Sequence, residues 1–260
     1  PSAPNEQVLD TSAVWGSVAL SRDKRLIALT TYAAEPAIYL FDLGGPVVLG
    51  KQFEIYAPTY SGGKMSDVAQ FADAMDFSAD GERLLFDTYN EVDIAGEKIG
   101  YWEINLLEAW DKAGNTFGSG AIYRIFPQET GYDLGNPSFA RTKQTVFAFD
   151  VSDSYSLTGY VLASDLLKDG ASLIAELPYN SPGYPNYRGD DRVISFAATP
   201  LHGGNGVDSV YNVTLAADAL TPAGPPAGFI PSAMFPIWYR NGVRPTGVAQ
   251  PSVVPTSLQL

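Results

Sequence analysis

The chain contains no cysteine. That excludes disulfides, thiolate nucleophiles, thiolate-held zinc or iron–sulfur clusters, and haem attached through Cys-x-x-Cys-His. His202 is the single histidine, so no multi-histidine metal site can form. Basic residues are scarce as well: 16 Lys and Arg face 29 Asp and Glu, leaving a net charge of −13. Such a chain repels phosphate backbones, which argues against nucleic acid as a partner and for basic ones. No apolar run approaches the roughly 20 residues that a membrane-spanning helix needs. The sequence opens at Pro1 without a basic-then-apolar leader, which sets the expectation of a mature or trimmed product.

Other residue classes are well supplied. Apolar residues make up 45% of the 260 positions, enough for a buried core, and 12% are aromatic. With 25 glycines and 19 prolines the composition favours a turn-rich β fold over a helical bundle. An acidic, cysteine-free chain of this kind fits a bacterial periplasmic or extracellular protein. Asn212-Val213-Thr214 matches the glycosylation acceptor pattern.

One pattern recurs along the chain. Residues 74–87 read as a short apolar strand, the turn Ser78-Ala79-Asp80-Gly81, and a second apolar strand ending at Asp87. In that turn Gly81 accepts a positive φ while Ser78 and Asp80 can bond nearby amides. An aromatic third strand follows at 99–105. The same order appears at 18–29 with 37–43, at 136–149 with 159–166, and at 184–196 with 209–215. Aligning Ser21, Ser78, Ala140 and Arg188 gives offsets of 57, 62 and 48 residues. Further apolar stretches at 45–49, 121–126 and 173–177 are candidate fourth strands. Four short strands repeated at this spacing form the blade of a β-propeller; a two-layer sandwich has no reason to repeat that order.

At these residues the chain resembles the TolB-type, WD-repeat-like propellers, whose blades carry an aromatic-Ser-Pro-Asp-Gly turn before an apolar strand. Phe77-Ser78-Ala79-Asp80-Gly81 matches with Ala79 in place of proline, and Asn136-Pro137 and Tyr184-Pro185 match the approach to that turn. Lys24 and Asp191 stand where glycine is usual, and Thr142 replaces the aspartate. The resemblance spans 14–218 and implies an all-β propeller with about four blades. It implies no particular activity, since such blades serve as scaffolds, partner-binding surfaces and accessory domains of peptidases alike. Phe235-Pro236-Ile237-Trp238-Tyr239-Arg240 resembles the first strand of a fifth blade, either shared by the two termini or completed by another chain. The expected organisation is an extension at 1–13, a propeller at 14–244 and an extended, proline-punctuated tail at 245–260 that could dock on a neighbouring subunit.

Motifs for chemistry are mostly missing. Gly118-Ser119-Gly120 lacks the frame of a nucleophile elbow, and His202-Gly203-Gly204 has no serine to serve. Asp80-Gly81 breaks the sialidase Asp-box spacing, and no phosphate-cradling loop is present. No catalytic residue and no cofactor is assigned. Calcium is the one ion that the acids suit, with Asp87, Asn90, Glu91 and Asp93 as candidate ligands and Asp150 with Asp153 as a second cluster. For protein contacts the candidates are Tyr56, Tyr60, Tyr179, Tyr184, Tyr187, Trp238 and Tyr239, large side chains with few rotors in Pro/Gly-rich connections or at strand ends.

The sequence therefore reads as a non-catalytic propeller. It binds a protein partner or forms a homo- or hetero-oligomer in a larger assembly, through the loops at 56–64, 90–98 and 178–187. The competing reading is a hydrolase, or the propeller part of a peptidase. A hydrolase predicts inward carboxylates with perturbed pKa values in the channel; an interaction module predicts a channel lined by ordinary residues and a contiguous exposed aromatic patch.

Overall fold

The computed structural model describes residues 11–55, 68–126, 131–179, 181–199 and 208–238. Among them there is no helix. They form a four-bladed β-propeller, each blade an antiparallel sheet of four strands. Blade 1 comprises β1 (Trp15–Leu20), β2 (Leu26–Thr31), β3 (Ala37–Asp42) and β4 (Leu49–Glu54). Blade 2 comprises β5 (Val68–Phe77), β6 (Arg83–Ile94), β7 (Glu97–Glu108) and, after the small hairpin β8 (Trp110–Asp111) and β9 (Thr116–Phe117), β10 (Ile122–Arg124). Blade 3 comprises β11 (Tyr132–Phe139), β12 (Val146–Asp153), β13 (Thr158–Asp165) and β14 (Ala171–Pro178). Blade 4 comprises β15 (Asn186–Tyr187), β16 (Val193–Ala198), β17 (Ser209–Thr214) and β18 (Ala227–Ile230).

The turn between the first two strands is built as its residues require. The Ser78 hydroxyl donates to Asp80 and accepts from the Arg83 N–H, while Asp80 accepts from Glu82 N. Blade 1 repeats this with Ser21, Asp23, Leu26 and Arg25. In blade 4 the Arg188 guanidinium takes over the serine's part and forks onto Asp190 at 2.8 and 2.7 Å. Backbone bonds from Ser21, Ser78, Ala140 and Arg188 to Leu26, Arg83, Val146 and Val193 close the four turns, so the sequence alignment is also the structural one.

Alternation along the strands gives each blade two faces, and facing blades interlock. Leu26, Ala28, Ile38 and Leu40 of blade 1 meet Phe77, Leu84 and Phe86 of blade 2. Leu85, Ile104 and Leu106 meet Phe139, Phe147 and Phe149 of blade 3. Val146, Ala148 and Val161 meet Ile194 and Phe196 of blade 4.

The seam between blades 4 and 1 is built differently. Of residues 235–240, expected as a fifth blade's first strand, 235–238 form no strand and lie with 231–234 against blade 4, while 239 and 240 lie outside the described residues. Ala233 N donates to Asp208 O, and Trp238 donates from its backbone N to Asn186 Oδ1 and from Nε1 to Ser195 Oγ. Ser195 is a polar residue on the face of β16, and the indole N–H satisfies it there. Two fourth strands also depart from expectation: β4 begins at Leu49 rather than ending there, and β18 carried no strand signal.

Candidate functional site

The innermost strands β1, β5, β11 and β15 line the propeller axis. A bulge interrupts the pairing of the first three with their neighbours, between Trp15 and Val18, Ala72 and Met75, and Gly135 and Ser138. A bulge frees backbone N–H groups from the ladder, and these need acceptors. The position four residues into the second strand provides them in the first three blades, as Thr30, Asp87 and Asp150; its counterpart in blade 4, Ala197, has no side-chain acceptor and donates its own N–H to Gly183 O. Thr30 Oγ1 accepts from Ser17 N at 3.0 Å. Asp87 Oδ1 accepts from Ala74 N at 2.7 Å, and its Oδ2 reaches the next blade to accept from Asn136 N at 2.8 Å. Asp150 Oδ2 accepts from Asn136 Nδ2 at 2.8 Å and from Tyr184 N, again in the next blade, at 2.9 Å.

These bonds hold strained backbone. Asn136 and Tyr184 have φ of 52° and 47°, in the left-handed region, each just before a proline. The Tyr184 ring packs on Phe235 with centroids 4.5 Å apart. Glycine is required where the carboxylates crowd the chain: a Cβ on Gly183 would lie 2.2 Å from Asp150 Oδ2.

Burial sets the protonation of this group. It pushes Asp87 up to about 7 against the pull of the Asn136 and Ala74 N–H groups, with Asp73 and Asp150 adding repulsion. Burial likewise pushes Asp150 up to about 6. Nearer the turns, Asp76 Oδ2 accepts from Arg22 at 3.0 Å and from Phe139 N at 2.9 Å, with Arg141 at 3.5 Å, so one carboxylate ties blades 1, 2 and 3. Its burial raises its pKa, and Arg22 opposes the shift.

The four candidate calcium ligands do not converge. They run along β6, where six residues of extended chain separate Asp87 from Asp93 by about 20 Å. Asn90 is buried on the opposite face, Glu91 pairs with Lys98 at 3.1 Å, and Asp93 accepts from Gly96 N in its hairpin. Asp153 caps its own turn through Tyr155 N and Ser156, on the face of β12 away from Asp150. Among the described residues no three His, Cys, Asp or Glu side chains gather as a metal site.

The aromatic candidates divide similarly. Tyr187 is corrected: it is fully buried, its hydroxyl donates to Ala219 O, and it is core. Tyr179 is exposed, Tyr184 lines the axis and Trp238 stands at the fourth seam. Tyr56, Tyr60, Tyr239 and His202 lie outside the described residues. Asn212 sits in β17 and accepts from Ser195 Oγ.

No sequence pattern marks what the fourth seam exposes. Val18 and Leu20 on β1 are 62% and 45% exposed, and Phe235 and Ile237 opposite are 57% and 78% exposed. All four line one cavity of about 320 Å³ along the axis. A second apolar cavity, of about 470 Å³, opens on blade 3 beside Tyr132, Leu134, Tyr160 and Leu173.

No protein-family model matches the chain, and no curated protein matches it in sequence. Among solved structures it is similar to TolB from Acinetobacter baumannii, at 14% identity and a TM-score of 0.53, over 88% of this chain and 47% of that one. An oligogalacturonate lyase in complex with manganese aligns at 10% identity and a TM-score of 0.49, over 82% of this chain and 54% of that one. The chain thus spans about half the length of these proteins, and at such identity the likeness to TolB is one of fold. It agrees with the propeller read from the turn residues.

Proposed function

We propose that the chain is a non-catalytic propeller scaffold of a bacterial extracytoplasmic assembly, binding a protein partner along its fourth seam. The carrying observation is the uncovered apolar surface of Val18, Leu20, Phe235 and Ile237, set between two otherwise rigid blades. Burying such a patch is the common driving force of association, and a fixed backbone lowers its entropic cost.

The axial carboxylates supply a second reading, a hydrolase. Asp87 and Asp150, with pKa values pushed to about 7 and 6, meet around Asn136. Paired acids with raised pKa values suit general acid chemistry. Two features favour the scaffold reading. Both Asp87 oxygens are already taken by backbone N–H groups, and the equivalent position in blade 1 does the same work with Thr30.

The test is site-specific photo-crosslinking in the intact host. A crosslinker at Leu20 or Ile237 is expected to capture one discrete protein, while one at the equally exposed Leu167 on blade 3 captures none. Equal capture from both places, or none from the seam, overturns the reading. Turnover of glycoside or peptide substrates that Asp150→Asn abolishes would install the hydrolase in its place.

A further inference from the structure

We infer that the fourth seam also carries a small-molecule site, a cavity that binds an organic oxyanion whose flat ring lies on Trp238. The cavity has a volume of about 680 Å³ and is lined by Arg22, Lys24, Arg141, Arg188, Trp238 and, as its one acid, Asp190. That size suits a small organic ligand. Four of the chain's 16 basic residues converge here, in a molecule of net charge −13.

Part of this charge is structural. Arg22 and Arg141 brace Asp76, and Arg188 forks onto Asp190. Donors nevertheless remain. The Arg22 Nε is enclosed and has no acceptor among the described residues. The two bonds of Arg188 to Asp190 use Nε and Nη2, leaving Nη1 without an acceptor among the described residues. The Arg22 Nε is closed off from a ligand, whereas the Arg188 side chain is 40% exposed and its free N–H can bond a ligand oxygen. Planar guanidinium forks match carboxylate and phosphate oxygens.

Lys24 gives an independent indication. Its backbone has a φ of 65°, where blade 2 places Gly81 with a φ of 80°. Its ammonium pairs with no described residue, which leaves it available to an anion. Trp238 supplies a pre-set wall. Its Nε1 bond to Ser195 at 2.7 Å fixes the ring, Phe229 stacks against it at 5.9 Å, and the Arg188 guanidinium lies 6.0 Å from its centroid. A ring stacked on the indole would carry its oxyanion towards Arg188 and Lys24.

Titration calorimetry at low salt tests this with phenyl phosphate, benzoate, inorganic phosphate and benzylamine. At least one ring-bearing anion is expected to bind, more tightly than inorganic phosphate and far more tightly than benzylamine. Lys24→Gly is expected to weaken that affinity roughly fivefold while raising the thermal midpoint, because glycine relieves the backbone. Trp238→Leu is expected to remove the advantage of the ring and spare inorganic phosphate. Absence of binding at millimolar anion, equal affinity for inorganic phosphate, or unchanged affinity in both Lys24→Gly and Arg188→Gln overturns the inference. The crosslinking test above is independent of it at Ile237, which lines only the apolar cavity, whereas Leu20 borders both.

Discussion

Asp87 and Asp150 share Asn136: the first accepts its backbone N–H and the second its side-chain amide, both at 2.8 Å. The two acids sit on the second strands of successive blades, and Asn136 stands on the bulge between them. Asp87 thereby fastens blade 2 to blade 3 at the axis, and Asp150 fastens blade 3 to blade 4 through Tyr184 N, where the ladder is interrupted and β pairing cannot.

Stability should fall as pH rises from acid to neutral. In the unfolded chain Asp87 titrates near 3.8, whereas in the fold it titrates near 7. Between those values the folded state holds a proton that the unfolded state has released, so the contribution is fully present below about pH 4 and lost by pH 7. Urea unfolding at pH 4.5 and 7.5 should show the loss, and Asp87→Asn should shrink it. Net negative charge acts in the same direction, so an undiminished slope in the variant would assign the effect to general repulsion.

Three glycine-to-alanine changes should rank by the space around them. Gly183→Ala drives a methyl into Asp150 and should cost about 3 kcal/mol or more. Gly135→Ala, whose Cβ would lie 3.3 and 3.4 Å from the Asp150 and Asp87 oxygens, should cost about 1 kcal/mol. Gly189, with nothing within 4 Å, should tolerate alanine. Chemical denaturation of the three variants gives the order directly, and a Gly189→Ala cost equal to that of Gly183→Ala would contradict it.

Asp191 should separate backbone strain from bonding. It adopts a φ of 57° and accepts from Arg141 N and Thr142 N, linking blade 4 to blade 3. Asp191→Ala keeps the strain and orphans both amides, for an expected loss of about 2–3 kcal/mol. Asp191→Gly loses the same bonds but relieves the backbone, so it should be the milder change. Equal unfolding midpoints for the two would show that the φ carries no strain.

Local chemistry made three strands of each blade legible. Ser21 with Asp23 and Ser78 with Asp80 mark turns within a few residues, and the apolar runs beside them can only be buried strands. Outer strands gave no such sign, because β4 is polar through Lys51 and Gln52 and β18 leaves Phe229 exposed. Phe235 to Trp238 looked like a strand because its residues are apolar; its indole N–H instead serves Ser195, 43 residues away. Asp87 was singled out among the acids, but for calcium, since nothing near it in sequence betrays Asn136 in the next blade. Arg22 and Arg141 were passed over for the same reason: their meeting point, Asp76, lies 54 and 65 positions from them. Contacts around a ring have no local pattern.

If the axial carboxylates serve the backbone of adjacent blades, amide hydrogen exchange followed by NMR will report it at the bonds themselves. The N–H groups of Ala74, Asn136 and Tyr184 should be protected although they lie at bulges or before a short strand. Asp87→Ala should release Ala74 and Asn136 while leaving Tyr184 protected, and Asp150→Ala should release Tyr184. Free exchange of these amides in the unaltered protein, or protection that survives both substitutions, would contradict the claim.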